Sequence, residues 1–335
     1  DRVRRRGAGA VKVERYRDTD VEAWDAFVRA SRNGTFQFLR GYVDYHRDRF
    51  ADHSLLVRDP EGELIAVLPA HSTANRIASH AGLSFGGLVI GPEMKVPIFL
   101  RTFEAILLHL QSTGFATLDY KTIPHIYHRQ PAEEDRYAMF LLGAQMTRRD
   151  ILSVVAREDR IPYQSRRTRG IKRASSADVA VREDENLAPY WQLLAATLAE
   201  RFGAEPVHAL DEISQLRARF PDNIRLFTAQ SATGELLAGV VVYETERVAH
   251  AQYIAASPAG RDASALDLLF DHLLNEVYRN HPYFDFGSSH EDGGRAINAG
   301  LIDQKEGFGA RAVAHDNYRI DLTAICPGVL TEALR

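Results

Sequence analysis

The predicted fold rests on two stretches in the second half of the chain, AHAQYIAASPAGRDASALDLLFDHLL (249–274) and YFDFGSSHEDGGRAINAGLIDQKEGFG (283–309). In the first, an apolar strand ends at Ala256 in a loop of small residues, and a helix is expected from about Ala263 to Tyr278. In the second, a strand from Tyr283 to Gly287 runs into a polar loop, and a helix is expected over Arg295 to Glu306. This alternation of strands and helices predicts an α/β (α+β) domain.

The rest of the chain extends this pattern. The second half also predicts a strand, two helices, a hairpin and a closing strand, over 179–182, 187–201, 210–220, 224–243 and 310–322. The first half begins in the same order, with a strand, helices, a hairpin, a glycine-rich segment, a long helix and a strand, over 10–17, 18–31, 41–50, 54–70, 79–91, 96–112 and 115–120. Two tandem domains of one kind are therefore expected, over 1–160 and 177–335, joined by a basic linker over 161–176.

Composition narrows the class of protein. The 335 residues carry a net charge of −4, which argues against general binding of nucleic acid. Cys326 is the single cysteine, so a disulfide framework or a cysteine-rich zinc site is not expected. There is no run of 18 apolar residues, and the arginine-rich start precedes no apolar core of a secretory signal. We expect a soluble, cytoplasmic protein.

The loop after the first strand is a candidate anion site. Small residues from Ala255 to Gly260 let backbone N–H groups approach a ligand, and the following helix N-terminus near Ala263 favours negative charge. A pyrophosphate or the phosphate of phosphopantetheine would suit this loop. The alternative is a simple strand-to-helix turn.

The polar loop after the second strand holds candidates for acid–base chemistry. His290 and Glu291 follow the end of a strand, where α/β sheets place ligands, and either side chain can take a proton from an amine. Lys305 shares one side of the next helix with Asn298 and can stabilise an oxyanion. The alternatives are a solvated capping loop, and a surface lysine paired with a neighbouring carboxylate.

The first half offers candidates for binding a second substrate. The glycine-rich segment SHAGLSFGG (79–87) contains His80 and Phe85, and polar and aromatic residues follow the strand that ends at Tyr120. Stacking and hydrogen bonding there would suit a sugar or a nucleotide, whereas the alternative is a rigid, proline-bounded connection. The chain contains no HExxH, GxSxG, GxxxxGK[ST] or GxGxxG pattern, so no dedicated metal site, hydrolase triad or nucleotide loop is expected.

Five segments together resemble the Fem-like branch of the GNAT (acetyltransferase-fold) superfamily. They are SHAGLSFGGLVIG (79–91), KTIPHIYHRQPAEEDRYAMF (121–140), RRTRGIKRA (166–174), AHAQYIAASPAGRDASALDLL (249–269) and FDFGSSHEDGGRAINAGLIDQKEGFGARAV (284–313). Within that branch the chain is most similar to N-acyltransferases of two GNAT-like halves that act on nucleotide-linked amino sugars. The resemblance implies two tandem GNAT-like domains, each with a mixed, largely antiparallel sheet flanked by helices.

The resemblance also implies the reaction. An amine would attack an acyl thioester of coenzyme A or an acyl carrier protein, with Glu291 or His290 taking the proton and Lys305 steadying the oxyanion. The second domain would hold the donor, through Tyr253, Ile254, Ala255, Ser257, Gly260, Arg261 and Ala263. The acceptor would meet the first domain and the end of the second sheet, at His80, Phe85, Lys121, His125, Tyr127, Gln252, Ser288 and Asn298.

Two other functions stay open. One is a Fem-type transfer from aminoacyl-tRNA, although the loop departs from the usual glycine-rich form and the coiled-coil arm of some tRNA-using Fem enzymes is absent. The other is a non-catalytic scaffold that binds a carrier protein. The expected partners are a small amine and an acidic acyl carrier protein docked on the basic segment. No DNA, membrane insertion or metal is expected.

Overall fold

The computed structural model describes residues 11–80 and 82–334, which divide into two compact units. Unit 1 comprises residues 1–150 and 314–335, and unit 2 comprises residues 151–313. The basic N-terminal run and Ala81 of the glycine-rich segment lie outside the described residues. The division differs from the predicted boundaries, because the last part of the chain returns to unit 1 and the expected linker belongs to unit 2.

The described residues of unit 1 form four α-helices and two sets of hydrogen-bonded strands. The helices are α1 Val21–Ala30, α2 Arg40–Val43, α3 Val96–Ser112 and α4 Glu134–Leu141. One sheet has the order β1 Lys12–Arg15, β3 Leu55–Arg58, β4 Leu64–Leu68 and β7 Val89–Ile90. The other strands follow the order β17 Arg311–Asp321, β8 Thr117–Lys121, β6 Arg76–Ala78, β5 His71–Thr73 and β2 Ala51–Asp52. Helix α3 supplies Phe99, Phe103 and Leu107 to the core between these elements.

Unit 2 is built on six strands. Their order is β10 Ala180–Asp184, β11 Ile224–Gln230, β12 Leu236–Glu244, β13 Val248–Ala256, β14 Tyr283–Ser288 and β9 Gln145–Ala156. The helices are α5 Ser165–Ser176, α6 Leu187–Phe202, α7 Leu210–Arg219, α8 Pro258–Asp262, α9 Ala265–His272 and α10 Ala299–Glu306. A short hairpin of β15 His290–Glu291 and β16 Ala296–Ile297 stands apart from the sheet. The core joins Val240 and Val242 of the sheet to Phe270, Phe284 and Phe308.

The sheets are mixed and largely antiparallel, as predicted: the pairs β6–β8 and β13–β14 are parallel, whereas pairs such as β3–β4, β11–β12 and β8–β17 are antiparallel. Local sequence signals account for several boundaries. Asn186 caps α6 by accepting a hydrogen bond from the Ala188 N–H, and Gly203 ends the same helix in the left-handed conformation. Pro97 stands in the first turn of α3, where its missing N–H costs no hydrogen bond.

Three predicted helices differ from the structure. The segment 41–50 contains only α2 and a 3-10 turn, and the helix expected over 263–278 is α9 followed by a π turn at Leu273–Val277. The helix expected from Arg295 starts instead at Ala299, because residues 296–297 pair in the short hairpin. The expected linker is helix α5, whose Gly170 and Ala174 are buried, so it packs in unit 2 and does not connect two domains as an independent segment.

No helix among residues 11–80 and 82–334 is long and apolar enough to cross a membrane.

The C-terminal segment is fixed to unit 1 by a buried carboxylate. Glu104 of α3 accepts hydrogen bonds from the backbone N–H groups of Gly328, Leu330 and Thr331, at 3.1, 2.8 and 3.1 Å. Because Glu104 is 9% exposed, these bonds replace the water that the carboxylate gives up on burial.

We predict that Glu104→Ala loosens this segment. Loss of the three charge-assisted bonds should lower the free energy of unfolding by roughly 3 kcal/mol. It should also expose the last residues to limited proteolysis. The control is Glu93→Ala, at an exposed glutamate without hydrogen bonds in the described structure. Equal denaturant midpoints and equal cleavage for the two variants would show that Glu104 does not anchor the segment.

Candidate active site

The parallel strands β13 and β14 open a gap in the sheet of unit 2. They pair only over Val248–His250 and Tyr283–Asp285, although β13 continues to Ala256 and β14 to Ser288. Beyond these pairs, the two strands present backbone edges to each other without a ladder of hydrogen bonds. Such a gap at the carboxyl ends of parallel strands is where α/β sheets bind ligands.

A kink in β14 maintains the gap. Gly287 has a φ of +71°, and its N–H donates to Asp285 Oδ1 at 2.7 Å. The buried Nζ of Lys305, on α10, donates to the carbonyl oxygens of Gly287 and Ser288 at 3.1 and 2.7 Å. The register between β14 and β9 shifts between Asp285 and Ser288, so the strand bends at this point.

A β-bulge shapes the opposite edge of the gap. Tyr253 pairs with Val241 and Ala251 pairs with Val242, which leaves Gln252 as the extra residue of β13. The Oε1 atom of Gln252 is buried and has no hydrogen-bond partner in the described part of the chain. A buried amide oxygen without a partner is costly, so a donor group from a bound molecule would stabilise it.

A histidine and an aspartate meet where the gap begins. His250 Nδ1 lies 2.9 Å from Asp285 Oδ2, and these residues form the last pair of the β13–β14 ladder. Asp285 is only 1% exposed, whereas His250 retains access to solvent. With the carboxylate accepting from Nδ1–H, the Nε2 atom carries the lone pair, and no described residue hydrogen-bonds to it. His250 can therefore accept a proton at the closed end of the gap.

His250 and Asp285 are not among the candidate residues that the sequence indicates. The available signal was a single polar residue within each of two otherwise apolar runs, VAHA and YFDF. Without knowledge of the strand register, that signal does not show that the two side chains meet.

The predicted anion loop is largely closed by its own hydrogen bonds. Ser257 Oγ accepts from the Gly260 N–H at 3.0 Å, and the Ser257 N–H donates to Leu237 O at 2.9 Å. The N–H groups of Arg261 and Ala263 donate to Ser257 O and Ala259 O, both at 2.9 Å, within and just after α8. Several N–H groups expected to bind a phosphate therefore donate hydrogen bonds within α8 and its flanking turns.

Packing explains the single glycine of this loop. A Cβ on Gly260 would lie 2.0 Å from Leu237 O, so glycine is needed for α8 to approach β12. Arg261 donates to Ala256 O at 3.0 Å, and Ile254 and Ala255 are strand residues of β13. These contacts give Gly260 and Arg261 structural roles that need no donor.

Tyr253 lies against α6 on the face of β13 that also carries His250. Its hydroxyl is hydrogen-bonded to His208 Nδ1, and its ring meets the Trp191 ring edge-on with centroids 5.0 Å apart. Trp191 Nε1 in turn donates to His208 O at 3.1 Å. Tyr253 is thereby held in an aromatic cluster, 7% exposed.

The segment after β14 brings several predicted residues together. Glu291 is exposed, and its Oε1 accepts from Asn298 Nδ2 at 2.8 Å, while Asn298 Oδ1 caps α10 by accepting from the Leu301 N–H. His290 Nδ1 lies 3.5 Å from the Ile151 N–H. Burial lowers the pKa of Lys305 to about 8, and the nearby Asp285 carboxylate opposes that shift. Lys305 thus supports the turn after Ser288 through the contacts to carbonyl oxygens.

Unit 1 contains a similar parallel pair, but its own chain fills the space beyond it. Strands β6 and β8 pair over three residues, Arg76–Ala78 with Thr117–Asp119. Just beyond, Lys121 Nζ donates to Leu83 O at 2.7 Å, and the Lys121 N–H donates to Ser79 Oγ at 2.8 Å. A Cβ on Gly86 would lie 1.8 Å from Ser79 O, so the glycine-rich segment passes directly over this point.

The other predicted residues of unit 1 are mostly buried. His80 has a φ of +61°, and its ring lies 5.0 Å from that of His46. Burial lowers the pKa of Lys121 to about 8 and also lowers that of His80. Phe85 and Tyr127 are each 5% exposed and pack together with ring centroids 4.5 Å apart, so they do not offer an open face for stacking. His125 alone among these predicted residues is exposed.

No three His, Cys, Asp or Glu side chains of residues 11–80 and 82–334 are placed to hold a metal ion.

Comparison with known families agrees with this geometry. Residues 163–292 match the model of the family described as "Acetyltransferase (GNAT) domain". The match includes β13, β14, His250 and Asp285, so the strands that form the gap lie within the segment similar to GNAT acetyltransferases. No curated protein shows significant sequence similarity to the chain.

Solved structures share the fold over almost the whole length of this chain. The structure titled "Crystal structure of FemX" has a TM-score of 0.64 at 11% identity, covering 90% of this chain and 96% of its own. The structure of L-PGS from Bacillus licheniformis has a TM-score of 0.59 at 12% identity, with 96% of each chain covered. A tandem GNAT protein from the clavulanic acid biosynthesis pathway has a TM-score of 0.50 at 13% identity, covering 93% and 98%. The predicted resemblance to Fem-like proteins of two GNAT halves is thus confirmed for the fold.

We predict that Gly287→Ala disturbs the His250–Asp285 pair. The new Cβ would lie 3.2 Å from His250 Cε1, at a position whose positive φ strains any side chain. The matched control is Gly234→Ala, since Gly234 has a φ of +85° and no atom within 4 Å of the added Cβ. Both variants should lose about 1 kcal/mol of stability from backbone strain. Only Gly287→Ala should change the NMR shifts of the His250 ring, and unchanged shifts would contradict the close contact.

Proposed function

We propose that the protein transfers an acyl group from a thioester donor to an amine. The observation that carries this proposal is the gap between β13 and β14, with the His250–Asp285 pair at its closed end, inside the segment that matches the GNAT acetyltransferase family. The gap supplies a place for an extended donor, and the pair supplies a base next to it.

The donor arm enters the gap as an additional extended segment. A phosphopantetheine arm contains two amide groups, and unpaired strand edges bind extended chains through main-chain hydrogen bonds. Gln252 Oε1, buried and without a partner in the described residues, can accept an N–H of that arm. The thioester carbonyl then lies towards the closed end, where the pairing of His250 and Asp285 stops.

The proposed aminolysis of the thioester needs only the two substrates and the side chains at the gap. The amine nitrogen attacks the thioester carbonyl, a C–N bond forms, and the C–S bond breaks to release the thiol. His250 Nε2 takes the amine proton and can return it to the leaving sulfur. Asp285 keeps the proton on Nδ1 and stabilises the imidazolium. Backbone N–H groups at the strand edges steady the oxyanion, and Lys305 holds the turn after β14 in place.

In this proposal Glu291 and His290 bind the acceptor and do not take its proton, which is the role that the sequence resemblance implied for them. Glu291 is exposed, already accepts a hydrogen bond from Asn298, and lies in the short hairpin that stands apart from the sheet. We place Glu291, His290, Ser288 and Asn298 towards the acceptor amine. The acceptor class is a small amine, such as a nucleotide-linked amino sugar or another biosynthetic intermediate in the cytoplasm.

The reaction is tested by mass spectrometry of acceptors. The purified chain is incubated with acyl-coenzyme A or acyl-loaded carrier protein and a panel of amino-sugar nucleotides. A mass gain equal to the acyl group on one acceptor supports the proposal. Transfer only from aminoacyl-tRNA would replace it with a Fem-type aminoacyl transfer, and no transfer from any donor would leave a binding scaffold.

We predict that His250→Gln lowers turnover by a factor of about 100 or more, since removal of a general base typically costs that much. Asp285→Asn should have a similar effect because it misorients the imidazole. The matched comparison is Glu291→Gln, which removes the charge of the exposed carboxylate and should cost much less. Circular dichroism and thermal unfolding confirm that each variant is folded. Loss of turnover in Glu291→Gln with normal turnover in His250→Gln would return the role of base to Glu291.

A further inference from the structure

Helix α5 carries a group of cations without partners. Arg169, Lys172 and Arg173 are exposed, and their spacing of three and four residues puts them on one side of the helix. None of the three makes a side-chain hydrogen bond or ion pair within the described residues. The helix contains no acidic residue, so this side, which we name the basic face, carries three positive side chains and no negative one.

The structure ties this helix to both helices that follow the gap. Arg167 forms an ion pair with Asp267 in the first turn of α9, and a Cβ on Gly170 would lie 1.8 Å from Asp267 Oδ2. Arg166 forms an ion pair with Asp303 of α10. In the chain, α9 comes after β13 and α8, and α10 comes after β14, so α5 is anchored to helices that follow both strands of the gap.

The loop after β13 is a poor site for the pyrophosphate of coenzyme A. Most of its N–H groups are used within α8 and its flanking turns, as described above. The N-terminus of α9 already carries the carboxylate of Asp267, which is only 6% exposed. A second anion there would meet the negative charge of Asp267, and Arg167 is already engaged in an ion pair with that carboxylate.

We propose that the acyl donor is an acidic acyl carrier protein that docks on the basic face of α5. This inference rests on the proposed function and names the donor for the same gap. The carrier supplies its affinity through protein contacts, so its arm needs no pyrophosphate loop. Three cations within two turns of helix match carboxylates spaced along one helix of an acidic partner. The net charge of −4 does not provide the wide positive surface that a tRNA requires.

The experiment compares two donors that carry the same acyl group. One is a bacterial type II acyl carrier protein loaded with the acyl chain, and the other is the free acyl-pantetheine thioester. The test variant changes all of the basic face, R169E, K172E and R173E. The control variant makes the same change of charge at exposed arginines on other elements of unit 2, R201E, R219E and R279E. Thermal unfolding checks that both variants are folded.

We expect the test variant to raise the KM for the loaded carrier protein by about tenfold or more with little change in kcat, because docking charges act mainly on encounter. Its kcat/KM for acyl-pantetheine should equal that of the wild type, and the control variant should behave as the wild type with both donors. High salt should weaken the use of the carrier by the wild type and leave the use of acyl-pantetheine unchanged.

Other results overturn the docking inference. These are an unchanged KM for the carrier in the test variant, equal losses in test and control variants, or a wild type that uses the carrier no better than acyl-pantetheine. Salt-sensitive tRNA binding that the test variant loses would assign the basic face to nucleic acid instead. Failure of the wild type with both thioesters and with acyl-coenzyme A would refute the proposed acyl transfer itself. That result differs from those that overturn only the docking of the carrier protein.

Discussion

The candidate site depends on how one buried carboxylate is satisfied. Asp285 is 1% exposed, and a carboxylate at that depth is tolerated only when hydrogen bonds replace its water. One oxygen is bonded to the His250 ring and the other to the N–H of Gly287. These two contacts close one end of the gap, orient the imidazole and fix the kink that separates β14 from β13. The base, the gap and the turn after β14 therefore have a common physical origin.

The two units contain the same local pattern, a short pair of parallel strands, but the space beyond the pair differs between them. Each contains a parallel pair of strands with a ladder of three residue pairs. In unit 1, the glycine-rich segment passes over the point where the ladder stops, and Lys121 is bonded to its backbone. In unit 2 a kink and a bulge keep the corresponding edges apart. The fold alone does not fix function, and the difference arises in a few side chains at the end of each ladder.

The loop after β13 lies in the segment that matches the GNAT family, but most of its backbone N–H groups are not free to bind a phosphate. Residues 163–292 match the family, yet the glycine of the loop is needed for packing against Leu237, and α8 uses the nearby N–H groups. A helix N-terminus attracts anions only while its N–H groups are free and no carboxylate is already present. Asp267 and Arg167 occupy that position here, and this arrangement supports our proposal that the donor docks on the basic face.

The sequence by itself determined most of the elements. Apolar spacing predicted α3, β11 and β13 with the bounds that the structure gives, because helices and strands bury faces with periods that a short window reveals. It also predicted the polar cluster after β14, since Ser288, His290, Glu291 and Asn298 are close along the chain. The Fem-like, two-half arrangement followed from order and motifs. The predicted start of the last helix, Arg295, was wrong: the helix starts at Ala299 because residues 296–297 pair in a short hairpin.

Only the tertiary structure decided which distant residues meet. His250 and Asp285 are 35 residues apart, and a shift of one residue in register would have turned their side chains to opposite faces. Arg167 and Asp267, 100 residues apart, become partners only because α5 packs on α9. The return of residues 314–335 to unit 1 likewise rests on the pairing of residues 317–321 with β8 and on the contacts of Glu104 with the last residues, which no local pattern shows. Local periodicity specifies elements, whereas pairing between them depends on long-range packing and register.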